Sequence, residues 1–204
     1  MEGELNMAKE GKTGVTANTP QNILFGAGTI HKNLIYDEGE NWNFAESLMG
    51  ATSGGSKLSI IPEVQKVEVD GALVATKGLT VKTGETATLE INFIELTPEI
   101  IKAATLGTSQ PYGTADTYTA IESKAQIVEG DYFTNIAFVG QTLSGKKVIA
   151  VLDNALCTSG FEQEGKNKEG AIGKYTFECH ADLNSDLDTL PWHIYYPDYP
   201  GAGE

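Results

Sequence analysis

Apolar residues along this chain fall in short runs, many of period two, punctuated by Gly, Thr, Asn and Asp. That pattern predicts a β protein rather than a helical one. The densest pair of runs is DYFTNIAFVGQTLSGKKVIAVLDNALCT, Asp131 to Thr158. It predicts one long hairpin that reverses at Ser144-Gly145. Pairing Thr142 with Lys147 puts Ile136, Phe138, Ile149 and Val151 on one face. Ala137, Val139, Val148, Ala150 and Leu152 then share the other. Neither face is polar, and slipping the register by one residue leaves both apolar. Such a hairpin needs cover on both sides, and the expectation is its own sandwich on one and another chain on the other.

The flanking pattern supplies the remaining elements. Residues 21–36 read as strand, loop and strand about Gly26-Ala27-Gly28, and residues 37–46 as an acidic stretch holding Trp42 and Phe44. Residues 51–56 read as loop, and residues 57–73 as two strands turning at Asp70-Gly71. From 79 to 96 the alternation continues, with Leu89, Ile91 and Phe93 facing one way and Thr88, Glu90 and Asn92 the other. Thr97 to Leu106 is the one predicted helix, with Thr97 as N-cap, Pro98 in the first turn and Gly107 closing the end. Residues 108–118 read as loop, 120–128 as strand, 159–173 as an outward loop and 174–181 as a strand with Tyr175, Phe177 and Cys179 on one face. The chain thus divides into a polar arm over 1–20, a β domain over 21–181 and an acidic, aromatic tail over 182–204. The tail holds Trp192, Tyr195, Tyr196 and Tyr199, cannot fold alone and is expected to pack along a neighbour.

Composition narrows the function. Among 204 residues the net charge is −14, and all 14 basic residues are lysines. Without arginine or a basic face, stable binding of DNA is not expected. No apolar run is long enough for a transmembrane helix. The opening MEGELNMAKEGKTG has no apolar core, so no secretory leader is expected, and Cys157 and Cys179 read as buried free thiols in a reducing compartment.

Candidate chemistry is thin. Gly11-Lys12-Thr13 resembles the end of a phosphate loop, but Asn6 stands where its first glycine belongs. Asp182, Asn184, Asp186 and Asp188 are spaced like a calcium loop, but Leu187 and His193 stand where glycine and glutamate are required. His31, His180 and His193 share no ligand spacing and read as structural. No cofactor, metal or catalytic group is expected, and the chain reads as a non-enzyme.

Several stretches resemble the major tail tube proteins of long-tailed phages of Gram-positive hosts. They are Asn22-Ile23-Leu24-Phe25-Gly26-Ala27-Gly28 with His31-Lys32-Asn33-Leu34, Gly50-Ala51-Thr52-Ser53-Gly54-Gly55, the helix start Leu96-Thr97-Pro98-Glu99, and Asp153-Asn154-Ala155-Leu156-Cys157 running into Phe161-Glu162-Gln163-Glu164-Gly165-Lys166-Asn167-Lys168-Glu169. The likeness spans about residues 20 to 181 and rests on order and texture, since that family carries no catalytic signature. The tail from Asp182 has no counterpart in it.

The resemblance implies a mainly β fold, a sandwich or partial barrel with a long hairpin and one flanking helix. It implies hexameric rings stacked into a tube whose channel holds the tape-measure protein and then conducts the genome. Partners would be further copies of the chain, the tail terminator and distal tail or baseplate proteins, and DNA in transit without specific binding; no membrane is involved. The subunit would be made in the host cytoplasm and end in the virion tail. The hairpin would form the ring through Phe133, Ile136, Phe138, Val139, Val148, Val151 and Leu152, with strands near 86–95 and 120–129 as further staves. Lumen-facing candidates are Glu90, Asn92, Asn135, Gln141, Asp153 and Asn154. The alternatives are the tube of a contractile tail and a monomeric β-sandwich binding module with Trp192, Tyr195 and Tyr196 as its platform.

Overall fold

The computed structural model describes residues 14–16, 18–37, 41–115, 117–165 and 167–198. Most of the expected 1–20 arm, Lys166 of the family-like stretch and the tail from Tyr199 therefore lie outside the described residues. The elements are α1 (Thr19–Asn22), β1 (Leu24–Lys32), α2 (Phe44–Ser47), β2 (Thr52–Lys66), β3 (Thr80–Phe93), α3 (Pro98–Thr105), β4 (Thr108–Tyr112), β5 (Tyr118–Glu122), a 3-10 turn (Glu129–Asp131), β6 (Phe133–Thr142), β7 (Lys147–Cys157), β8 (Gly173–Glu178) and β9 (Trp192–Tyr195). The protein is mainly β, sandwich-like, with one short helix of more than a single turn, as the residue pattern predicts.

All pairings are antiparallel. The main sheet runs β1-β6-β7-β8-β3-β2, with β9 added to β7, and β4 and β5 form a separate hairpin. The sheet bends at β7, which pairs with β6 along most of its length and passes to β8 at Leu156 and Cys157. Asn154, φ 47, sits at that switch in the left-handed region that Asn tolerates better than most residues. One core gathers Ile30 from β1, Leu89, Ile91 and Phe93 from β3, Ile100 and Ala104 from α3, Ile136, Leu152, Tyr175 and Phe177.

α3 covers the end of this core. Thr97 Oγ1 accepts the Ile100 amide at 3.3 Å, as its N-cap role requires. The left-handed closing residue is Leu106, φ 49, and Gly107 donates to the Lys102 carbonyl at 3.1 Å. The closing position thus falls one residue earlier than the glycine suggests.

Four expectations are corrected here. The hairpin register places Gln141, not Thr142, opposite Lys147, so Ile136 meets Leu152 and Val139 meets Ile149. Residues 52–56 begin β2 rather than forming a loop, because Gly54 and Gly55 make a bulge in the ladder with β3. Residues 108–118 contain β4 and the start of β5. The tail does not wait for a neighbour: Trp192–Tyr195 pairs with β7 of its own chain.

The largest correction concerns cover for the β6–β7 hairpin. One face joins the main core, and Ala137, Val139, Ile149 and Val151 on the other form a second cluster with Leu34, Trp42 and Phe44. Leu34, Trp42 and Phe44 therefore supply the lid expected from another chain. It is pinned by Asn135, whose Oδ1 accepts the Leu34 amide at 2.8 Å and whose Nδ2 donates to the Leu34 carbonyl at 3.1 Å. Phe138 is accommodated by Gly28, φ 70, in the β1 bulge, where any methyl would collide with the ring.

Because Val151 is enclosed within the monomer, Val151→Asp is expected to destabilise the isolated chain by more than about 3 kcal/mol, independently of any assembly. Urea unfolding followed by circular dichroism measures it. An unchanged midpoint would show that the second cluster does not hold the hairpin.

Candidate functional site

Among the described residues no group of three or more His, Cys, Asp or Glu is placed to hold a metal ion. No described helix is long and apolar enough to cross a membrane. His31 is buried, with Nε2 bonded to Thr29 Oγ1 at 2.8 Å and Nδ1 to Ser47 Oγ at 2.9 Å. Burial, then the nearby Lys147, pushes its pKa below the usual imidazole value. In the calcium-like stretch, Asp182 Oδ1 accepts the Asn184 amide at 2.7 Å and Asp186 Oδ1 accepts the Asp188 amide at 3.0 Å, so both carboxylates cap their own turns. Cys157 and Cys179 are free and buried, and burial raises both thiols, Cys179 to about 12.

The seven hairpin residues expected to form a ring are covered inside the monomer. Ile136, Val139, Val148, Val151 and Leu152 are buried, and Phe133 and Phe138 pack against the main core. They are core residues of this chain rather than an exposed seam.

The lumen candidates scatter. Asn135 is buried and committed to Leu34, so it cannot line a channel. Asn154 Nδ2 donates to the His180 carbonyl at 3.2 Å, and Gln141 Nε2 to the Gly145 carbonyl at 2.9 Å. Glu90 and Asn92 do share the polar face of β2, β3 and β8 with Lys57 and Lys174. There Lys174 and Lys57 both bond the Glu90 carboxylate, the latter at 3.3 Å, and hold its pKa below the usual carboxylate range. Glu90 is therefore not a free negative charge. Asp153 lies 3.3 Å from His193 Nε2 on β9. Burial raises its pKa, with the histidine a smaller opposing effect.

The entry to β6 carries a more enclosed ion pair. Lys124 bonds Asp131, whose other carboxylate oxygen accepts the Val128 amide at 2.8 Å. Burial works against the Asp131 carboxylate, but these partners outweigh it and hold the group below its ordinary value.

The residues best placed for interaction lie elsewhere, in an arm that the sequence reading divided wrongly. β2 and β3 form a single hairpin whose ladder continues from Ile61↔Thr86 out to Lys66↔Thr80. That distal part adds about 17 Å at the usual strand rise. Beyond it, the Ala72 amide donates to the Val69 carbonyl at 3.0 Å, closing a turn at Asp70-Gly71. Residues 61–78 are exposed throughout. Ile61, Val64, Val67, Val69 and Val81 lie on it uncovered, and at its tip Leu73 is 97% and Val74 78% exposed. Further exposed apolar groups stand at the edge strand β1, at Leu24 and Phe25, and as the cross-strand pair Tyr112 and Tyr118 of the β4–β5 hairpin. The Asp70-Gly71 turn is legible in the sequence; the full length of the strands on either side of it is not, because Gly54 and Gly55 read as loop and the second strand of the pair reads as ending by Leu73.

The proposed aromatic platform is tied to the body. Trp192 Nε1 donates to a Glu85 carboxylate oxygen at 2.9 Å, the Tyr195 ring meets Trp42 at 5.0 Å, and Tyr196 Oη donates to Asn22 Oδ1 at 2.9 Å.

No protein-family model matches this chain, and no curated protein matches it in sequence.

Asp153 and Glu90 give opposite pH signatures. The raised pKa of Asp153 means that its stabilising contribution is present in acid and is lost as pH rises through that value. The lowered pKa of Glu90 means that its contribution is present above the ordinary glutamate value and is lost as pH falls through the lowered one. At neutral pH, Asp153→Asn is expected to raise the thermal midpoint and Glu90→Gln to lower it, both differences shrinking in acid. Thermal melts across that range check the pair, and shifts of the same sign would refute the assignment.

Proposed function

We propose that this chain is a structural, self-assembling subunit of a phage tail tube. The observation that carries the reading is the β2–β3 arm. It projects from the body with apolar residues on it that nothing among the described residues covers. Soluble chains seldom leave such a surface open unless a partner covers it.

The sheet edges support the same reading. β1 and β2 end the sheet order at opposite positions; among the described residues β2 keeps an open outer edge, whereas that of β1 is met at one end, where His31 bridges Leu48 and the Met49 amide donates to the Ile30 carbonyl at 2.9 Å. Unlike edges of neighbouring copies can pair head to tail, and such heterologous contacts close into rings when the rotation allows. Stacked hexameric rings around a channel are the form that the sequence resemblance implies. The arm and the β4–β5 hairpin are suited to contacts between copies. Within this reading the tape-measure protein fills the channel first, DNA follows it without specific binding, and terminator and distal tail proteins close the ends. The chain is made in the host cytoplasm and finishes in the virion tail. A net charge of −14 without arginine favours passage of a polyanion over capture of it, although that support does not come from Glu90. The reading is non-enzymatic.

A monomeric binding module loses its one specific feature, since Trp192, Tyr195 and Tyr196 are held against the chain itself. A contractile-tail tube would share the fold and the arm.

Concentrating the purified chain is expected to produce rings or tubes in negative stain. Leu73→Asp combined with Val74→Asp should abolish them while leaving the thermal midpoint within about 1 kcal/mol of wild type, because both side chains are exposed in the monomer. A wild-type chain that stays monomeric at every concentration, by sedimentation, would overturn the proposal.

A further inference from the structure

β9 closes an edge that the rest of the sheet leaves open. β7 gives one edge to β6, while its other edge is divided: β8 takes Leu156 and Cys157, and β9 takes Ile149 to Leu152. The Asp153 amide donates to the Pro191 carbonyl at 3.0 Å. By antiparallel alternation, His193 and Tyr195 then turn their amides toward β7, and Ile194 turns its own outward.

The hold is light. Only four residues pair, and His193, Ile194 and Tyr195 are all exposed. Leu190 and Trp192 pack on the main core and Trp192 bonds Glu85, but the ties beyond them lie near the surface: His193 to Asp153, Tyr196 to Asn22, and Lys146 Nζ donating to the Asp198 carbonyl at 2.7 Å. The preceding connection, residues 182–189, is exposed throughout, with Leu183 and Leu187 uncovered. What lies under β9 is different. Ile149, Ala150, Val151 and Leu152 are buried on both faces of the sheet. With β9 gone, their outward amides and carbonyls would form an apolar, strand-ready edge.

We propose that β9 is a displaceable latch: it occupies the position on β7 that a strand of a second copy of this chain would otherwise enter, and so sets the concentration at which the chain assembles. The inference rests on the self-assembling reading above. A second copy is the occupant because the edge already accepts a strand of this sequence. The outer edge of β2, which ends the sheet order, offers a further strand for contact between copies.

Two full-length variants test it. His193→Pro removes one amide that faces β7 together with the partner of Asp153, and opens the latch. Ala150→Cys with Ile194→Cys locks it, because that pair is a non-hydrogen-bonded one, with Cα atoms about 4.5 Å apart and within disulfide reach. Sedimentation and negative stain across a concentration series give the threshold, and hydrogen exchange at the Ile149 and Val151 amides reports the latch itself. His193→Pro is expected to lower the threshold about tenfold and speed that exchange. The oxidised pair is expected not to assemble until a thiol reductant is added. Wild-type assembly with thresholds unmoved in both variants overturns the latch alone. Failure of every chain to assemble overturns the latch and the tail tube reading together. Should His193→Pro prove unfolded by circular dichroism, the oxidised and reduced forms of the cysteine pair decide.

Discussion

β7 has no polar face, and that constraint organises the molecule. A strand apolar on both sides must be enclosed on both sides, and each of its backbone amides and carbonyls must still find a partner. The main core answers on one face, and Leu34, Trp42 and Phe44 on the other. β6 answers along one edge, and β8 and β9 divide the second. The bend at Asn154 follows from the same need. One strand serves two half-sheets, and it turns where its partner changes.

Enclosure of the hairpin changes where assembly must be sought. An apolar face in a hairpin looks like an interface until its cover is known, and here the cover is Leu34, Trp42 and Phe44 from the same chain. What remains uncovered is a different hairpin. The distal β2–β3 arm carries Val64, Val81, Leu73 and Val74 into solvent, where their hydration is unfavourable and nothing among the described residues relieves it. Interaction energy is therefore concentrated in the projecting part of the molecule, while the central part is already satisfied.

Much of the fold was legible. The alternation of Leu89, Ile91 and Phe93, the Thr97-Pro98 start of α3, and Tyr175, Phe177 and Cys179 on one face all follow from local rules that tertiary packing did not override. The failures have physical causes. The β6–β7 register differs by one residue because both faces are apolar, so the pattern carries no information that would fix it. Strand β2 is predicted too short because Gly54 and Gly55 read as loop, whereas a bulge in the ladder with β3 accommodates them. The candidate site was legible only as a turn at Asp70-Gly71. Exposure is a property of what does not pack against a residue, and local sequence does not encode that.

The same logic bears on β9. Edge protection by a short, weakly held strand is self-limiting. It must bind well enough to keep the β7 edge from pairing, yet a strand of four residues with three exposed side chains cannot bind irreversibly. A chain that exposes an apolar arm and the outer edge of β2 while covering an edge of β7 with its own β9 is balanced between solubility and association. The acidic charge adds to the first, since copies carrying −14 repel one another before any contact forms. Contacts strong enough to overcome that repulsion must be local and apolar, and the β2–β3 arm is where the structure offers them.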